Sequence, residues 1–319
     1  MKPWMTLPLA VALAACAAHA QDYPTRPLRM VVPYAPGGPV DIVGRVVGLK
    51  LTEALGQQVI IDNRAGAGGN IALEIVAKAA PDGYTLLMGA NGPIAINPSL
   101  YRKMPIDTMK DLAPVTMVAA SAMILVAHPS VPANTVKELI ALAKAKPGGI
   151  NYASSGSGST AHLSSELFKS MAGVQMVHVP YKGAGPALAD LVGGQVQTMF
   201  TGISSTLPYV KSGKLKALAV SSEKRLPIMP EVRAVAEDLP GYEVSTWYGV
   251  FLPAGAPNRI VDQLHRVLVQ VIATPDARQR LAALGADAHT NTPAEFSAAI
   301  RKESAKWAHI IKESGARAD

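Results

Sequence analysis

Hydrophobic positions along the chain follow two alternating rhythms. Residues 28–32 are an apolar run broken only by Arg29 and stopped by Pro33, which predicts a buried strand. After the turn Pro33-Tyr34-Ala35-Pro36-Gly37-Gly38, apolar residues at 42, 43, 46, 47, 51 and 55 keep helical spacing, and Gly56 closes the segment as a left-handed C-cap would. Residues 59–62 predict a second strand, and 67–80 a helix halted by Pro81-Asp82-Gly83. Residues 85–88 predict a third strand. Such strand–turn–helix repetition predicts α/β units around a parallel sheet.

The rhythm then restarts. Residues 123–127 predict a strand, and 136–145 an amphipathic helix closed by Lys146-Pro147-Gly148-Gly149. Residues 151–153 predict a short strand that runs into a glycine/serine turn opening a helix. Strand 176–179, helix 186–192 and strand 215–220 follow. An extended segment, 244–252, carries the chain back, and three helices near 260–272, 276–284 and 293–313 finish it. The expected fold is α/β with two lobes, 21–124 plus 245–319 and 125–244, the C-terminal helices returning to the first. No repeat of 20–50 residues is visible.

Composition narrows the class. The chain has 319 residues, 49% hydrophobic and 17% charged, enough for about two domains with real cores and too apolar for disorder. The single cysteine, Cys16, excludes a disulfide scaffold. The first twenty residues carry one positive charge, an apolar stretch from Leu7 to Ala15 and a small-residue ending, Ala18-His19-Ala20, which is the layout of a secretory signal. Cleavage after Ala20 fits best. Leu13-Ala14-Ala15-Cys16 also matches a lipoprotein box, which would leave Cys16 lipidated. Export to the periplasm is expected either way, and cleavage after Ala20 would leave a cysteine-free chain suited to an oxidising compartment. The net charge is +7, and removing the signal takes away Lys2 and no acid. The basic residues form no Lys/Arg-rich block with interleaved aromatics, so the pattern offers no nucleic-acid site; a modest positive field suits a small anion equally well.

Two glycine turns carry the candidate chemistry. In Pro36-Gly37-Gly38-Pro39 the glycines permit close backbone approach, Pro39 suits a first helical position, and Asp41 suits the first turn of the helix. Helix starts of this kind present free amides to carboxylate or phosphate. Residues 154–163 repeat the arrangement with added hydroxyls, Ser155, Ser157, Ser159 and Thr160. One such turn is weak evidence, but one in each lobe points to a cleft gripping an anion from both sides. Gly156-x-Gly158-x-x-Ala161 also fits a relaxed dinucleotide fingerprint, yet the next strand ends at His178-Val179-Pro180-Tyr181 with no acid for a ribose, so no cofactor is expected. No zinc-ligand spacing, phosphate-binding loop or G-x-S-x-G elbow is present, so neither a metal nor a catalytic residue is expected. Ser159 or Ser164 beside His162 leaves open an α/β hydrolase acting on a small ester or amide. Tyr34, Tyr181 and Trp247 lie at predicted strand ends or crossings, where they either cover an organic ligand or pack in the core. Lys182 is an anion partner or a solvated loop charge.

The segments YPTRPLRMVVPYAPGGPVD, GAGGNIA, PDGYTLL, INPSLY, NYASSGSGSTAHL, VPYKGAGPAL and GKLKALAV occur in an order that resembles the Bug family, the extracytoplasmic binding proteins of tripartite tricarboxylate transporters. The resemblance runs from about Tyr23 to the C-terminus. It implies a two-lobed Venus-flytrap fold of the type II periplasmic-binding-protein kind. It also implies capture of a small carboxylate and delivery, as a monomer, to a permease of one large and one small membrane subunit. By position it implies ligand-binding roles for Tyr34, Pro36, Gly37, Gly38 and Asp41. The second loop would contribute Ser155, Gly156, Ser157, Gly158, Ser159, Thr160 and His162, with Asn91, Tyr181 and Lys182 as further candidates. Val40 stands where the family often has a small polar residue, which makes the pocket less polar there.

Overall fold

Strand β1 (Leu28–Val32) owes its near-continuous apolar run to burial on both faces, as in other parallel strands. The computed structural model describes residues 23–314 and 316–318, so the expected secretory signal, with Cys16 and Ala20, lies outside the described residues. Helix α1 (Pro39–Leu55) follows β1, and β2 (Val59–Asn63), α2 (Asn70–Ala77) and β3 (Thr85–Ala90) complete the first α/β unit. β2 and β3 flank β1 in parallel register, Leu28 opposite Val59 and Arg29 opposite Thr85. Pro39 opens α1 and Gly56 ends it at φ +66°, its amide donating to the Thr52 carbonyl. The face Val40, Val43, Val47 and Leu51 is buried in a cluster with Leu28, Met30 and Met88. Val43, Val47 and Leu51 belong to the pattern read from the sequence, while Ile42, Val46 and Leu55 of that pattern are only partly buried.

A π-helical turn (Gly92–Ile96) and α3 (Asn97–Leu100) lead to a long strand, β4 (Leu112–Ala127). Then come α4 (Val136–Ala145), β5 (Asn151–Ser154), α5 (Thr160–Ala172), β6 (Val177–Pro180), α6 (Ala184–Val192), β7 (Thr198–Gly202), α7 (Ile203–Lys211) and β8 (Lys216–Val220). β9 (Ser245–Pro253), α8 (Asn258–Ala273), α9 (Pro275–Ala283), β10 (Asp287–Ala288) and α10 (Pro293–Ser314) finish the chain. The strand order is β2-β1-β3-β9-β4-β7-β5-β6, with β8 and β10 also on β4.

β4 joins the two halves. Up to Ala122, opposite Ser245, it pairs with β9; from Met123, opposite Gly202, it pairs with β7. Ser221 binds both connecting segments at that change of partner. Its hydroxyl accepts the Met123 amide at 2.7 Å, its amide donates to the Met123 carbonyl at 2.8 Å, and its carbonyl accepts the Val244 amide at 3.0 Å. Helix α10 touches both halves: Phe296 and Ile300 join the cluster of Phe251, while Trp307 and Ile311 join that of Leu100 and Phe168.

The pattern along the chain misses several elements, among them the first part of β4 and the pair β7 and α7. Residues 112–122 are strand, because β9 covers a stretch interrupted by Pro114 and Thr116. β7 is short, and α7 carries Ser204, Ser205, Thr206 and Pro208, none of which announces a helix. Strand 176–179 is found as β6, which ends at Pro180 on the sheet edge, where a missing N–H costs little.

Candidate functional site

Four helix starts meet around one cavity of about 40 Å³ between the halves, room for a few waters. α1 brings Gly38, Pro39 and Val40, and α5 brings its cap Ser159 with Thr160 and Ala161. α6 brings Ala184, and α7 its cap Gly202. The first amides of a helix have no intrahelical acceptor and sit at the positive end of the dipole, so this convergence attracts an anion. Tyr34, Ala90, Met123, Ser155, Thr201, Thr246 and Tyr248 complete the wall. Among the described residues that line it there is no Lys, Arg, His, Asp or Glu. The attraction therefore comes from backbone, not from side-chain charge.

The halves are closed on each other. The Ala35 amide donates to the Lys182 carbonyl at 3.1 Å, and the Tyr101 hydroxyl to the Ser157 carbonyl at 3.0 Å. A Cβ added to Gly38 would stand 3.3 Å from the Ala184 Cβ, and one on Gly202 only 2.6 Å from the Pro39 Cγ. Gly158, at φ +83°, passes so near Asn97 that an added Cβ would lie 1.9 Å from its Oδ1. That position demands glycine twice over, by conformation and by space.

Of the residues singled out in the sequence, Tyr34, Gly38, Ser155, Ser159 and Thr160 line the cavity. The others do not line it. Asp41 accepts the Gly37 amide at 3.0 Å, Arg45 Nε at 3.0 Å and Asn63 Nδ2 at 3.0 Å, so it shapes the first turn and uses up the Gly37 amide. Asn91 is fully buried and accepts the Thr160 and Thr246 hydroxyls at 2.6 and 2.9 Å. Gly156, at φ +127°, and Ser157 form the turn between β5 and α5, with the Gly156 carbonyl accepting the Ser159 amide at 3.0 Å. Pro36 is exposed, with its carbonyl against Gly185. Tyr181 turns away and donates to Asp190 at 2.6 Å, and Lys182 is exposed. Trp247 packs against Phe296 with ring centroids 5.1 Å apart and bonds Glu303, so it is core; its neighbour Tyr248 lines the cavity, as Tyr34 does.

Behind the serine/glycine loop lies a stack of rings. His162 and His178 lie 4.1 Å apart and nearly parallel, with Tyr152 on the far side of His178 at 4.9 Å. His162 Nδ1 accepts the Gly158 amide at 3.2 Å, and Ser159 Oγ accepts the His162 amide at 3.3 Å, capping α5. Burial pushes His162 down to about 4, more strongly than nearby Glu166 raises it; burial and its histidine neighbour push His178 down to about 3. Both are neutral at pH 7. The arrangement offers no hydrolytic pair. Ser159 meets the backbone of His162, Ser164 bonds the Thr160 carbonyl, and Ser154, which does bond His178 Nε2 at 2.6 Å, is fully buried and off the cavity wall. Among the described residues no cluster of three His, Cys, Asp or Glu could hold a metal, and no helix is long and apolar enough to cross a membrane.

A divided α/β sheet with an anion-attracting cavity at the seam is the architecture of a two-lobed periplasmic solute-binding protein. Solved structures agree: "R. palustris Rpa4515 with adipate" superimposes at TM-score 0.90 with 37% identity, covering 92% of this chain and 99% of that one. "Structure of periplasmic binding protein BugD" superimposes at 0.89 with 35% identity over 92% and 99%. "Protein BugT" of Bordetella pertussis (strain Tohama I) is 38% identical over 97% of this chain and 95% of its own length. The family described as "Tripartite tricarboxylate transporter family receptor" matches residues 43–316, and the chain belongs to it. It is an extracytoplasmic solute-binding protein of the Bug type, as its motif order implies.

Proposed function

We propose that this protein captures one small organic carboxylate between lobes 21–124 plus 245–319 and 125–244, and hands it to a permease of a large and a small membrane subunit. It acts as a monomer, catalyses no reaction, and is exported with cleavage after Ala20. The observation that carries the reading is the convergence of four helix starts on a wall without ionic side chains. The adipate of the R. palustris relative is of the same chemical class. The change of partner of β4 at Ala122/Met123 and the Ser221 contacts to Met123 and Val244 support two hinge segments at this division. Tyr34, Gly38, Ser155, Ser159 and Thr160 contact the ligand. Gly37, Asp41, Asn91, Gly156, Ser157, Gly158 and His162 hold that wall in shape. Closure is favoured because the ligand completes contacts with both lobes at once.

A thermal-shift screen of the purified protein against mono-, di- and tricarboxylates, aromatic acids and neutral sugars tests this. An acid at about 100 times its dissociation constant adds about 2.7 kcal/mol, several degrees of melting temperature for lobes of this size. Shifts with neutral sugars alone would refute the carboxylate reading.

A further inference from the structure

A carboxylate outside the cavity decides which way Asn91 faces. Glu303 of α10 accepts the Asn91 Nδ2 at 2.9 Å and the Trp307 indole N–H at 3.1 Å on one oxygen, and the Trp247 indole N–H on the other. No residue of α10 lines the cavity. Asn91 is fully buried, and its Nδ2 also donates to the Ser245 carbonyl at 3.1 Å. On its other side Oδ1 accepts the hydroxyls of Thr160 and Thr246, both residues of the cavity wall.

A carboxamide keeps its shape when turned end for end, so its neighbours set its orientation. The two threonine hydroxyls tolerate either end, since a hydroxyl both donates and accepts. The Ser245 carbonyl and the Glu303 carboxylate only accept, and they demand the NH2 group. Thr160 therefore meets an acceptor because Ser245 and Glu303 have taken the donors. The two indoles pin the carboxylate, and its charge strengthens the bond from Asn91.

In the lobe division proposed above, Glu303, Asn91, Ser245 and Thr246 lie in one lobe and Thr160 in the other. The acceptor is thus assembled before the lobes meet, and an acceptor fixed in advance spares the closing step the cost of ordering it. Resting on the reading that a ligand is captured by closure of two lobes, we propose that Glu303 is a positioning residue. Through Asn91 it sets how strongly the lobes close, from a helix that takes no part in the cavity wall. Neither residue lines the cavity, so the effect is the same for every ligand.

Calorimetric titration of the purified protein with succinate, adipate, malate and benzoate tests this on two variants. Glu303→Leu keeps bulk and removes the acceptor. Glu303→Gln keeps a carbonyl for Asn91 and turns its amide group to the Trp247 N–H. Glu303→Leu should weaken every acid that the parent binds by about tenfold, whereas Glu303→Gln should stay within about threefold, although both variants melt lower than the parent. In a Thr160→Val background, Glu303→Leu should cost no more than about twofold, because the bond through which it acts is gone. Should Glu303→Leu not fold, Glu303→Ala, which admits water to the two indoles, carries the same comparison. Equal losses from the two variants, or a loss undiminished by Thr160→Val, would reduce Glu303 to a structural residue; the proposal would fall and the carboxylate reading would stand. A loss confined to one acid would overturn it in the same way. A parent that binds none of the four acids would bring down both.

Discussion

The Oδ1 of Asn91 accepts the hydroxyl of Thr160 at 2.6 Å, linking the end of β3 to the first residue of α5 across the cleft. The same oxygen accepts the Thr246 hydroxyl at 2.9 Å, while Nδ2 donates to the Ser245 carbonyl at 3.1 Å and to Glu303 at 2.9 Å. A carboxamide satisfies all four partners, because it accepts on one side and donates on the other. Asn91→Asp keeps the shape and removes both donors, leaving the Ser245 carbonyl bare and placing a second carboxylate beside Glu303. The expected cost is about 2–3 kcal/mol of stability, with at least a tenfold loss of ligand affinity. Denaturant unfolding and calorimetric titration of the variant check the two effects separately.

Gly185 separates closure from folding. It does not lie among the positive-φ glycines, so alanine suits its backbone, but an added Cβ would stand 2.2 Å from the Pro36 carbonyl oxygen on the opposite side of the cleft. The obstacle exists only while the halves are shut. Gly185→Ala should leave the melting temperature of the ligand-free protein within a few degrees and weaken ligand binding at least tenfold, since the closed population is penalised. Small-angle scattering with and without ligand would register the change; full ligand-induced compaction in the variant would contradict it.

The glycine turns and the strand–helix order were legible because glycine at a helix start and 3.6-residue spacing are local signals. They located β1 and the glycine/serine loop that opens α5, and ended α1 at the residue before Gly56. What escaped is non-local. Thr201, Gly202, Met123 and Tyr248 reach the cavity because β4 changes partner at Met123 and β9 crosses back beside it; the two crossings could be read near 125 and over 244–252, but not which side chains they bring to the cavity. Asp41 and His162 looked like ligand contacts because their residue types fit an anion site. Their side chains instead accept the amides of Gly37 and Gly158, and neither lines the cavity.

Acid should loosen the site through the stacked histidines. His162 and His178 titrate near 4 and 3 in the folded protein, pushed down chiefly by burial, against about 6.5 when unfolded. Between pH 6.5 and 4 the unfolded chain therefore binds more protons, and stability falls with falling pH at up to about 1.4 kcal/mol per pH unit for each group. A proton on His162 Nδ1 would also oppose the Gly158 amide that this nitrogen accepts, so ligand affinity should fall only as pH drops to about 4, where the folded ring is protonated. His162→Asn keeps an acceptor without a titrating ring. Its melting temperature should depend less steeply on pH over that interval, and equal slopes for variant and parent would refute the assignment.

Asp41 has the opposite sign. Burial alone would raise its carboxyl, but hydrogen bonds from Arg45, the Gly37 amide and Asn63, together with the Arg45 charge, outweigh that and hold it below the usual carboxylate range. Its stabilisation is thus fully present above the unfolded value of about 3.9 and is lost as pH falls through the lower folded value. Arg45 is half-exposed, so the ion pair itself contributes little, and most of the effect lies in the two shielded hydrogen bonds. Asp41→Asn should cost about 1–3 kcal/mol at pH 7, because the variant cannot accept from Gly37, Asn63 and Arg45 as an anion does. At pH 3 the gap between variant and parent should narrow. Urea unfolding at both pH values measures this, and a gap that stays constant or widens in acid would show that Asp41 is not held ionised by these partners.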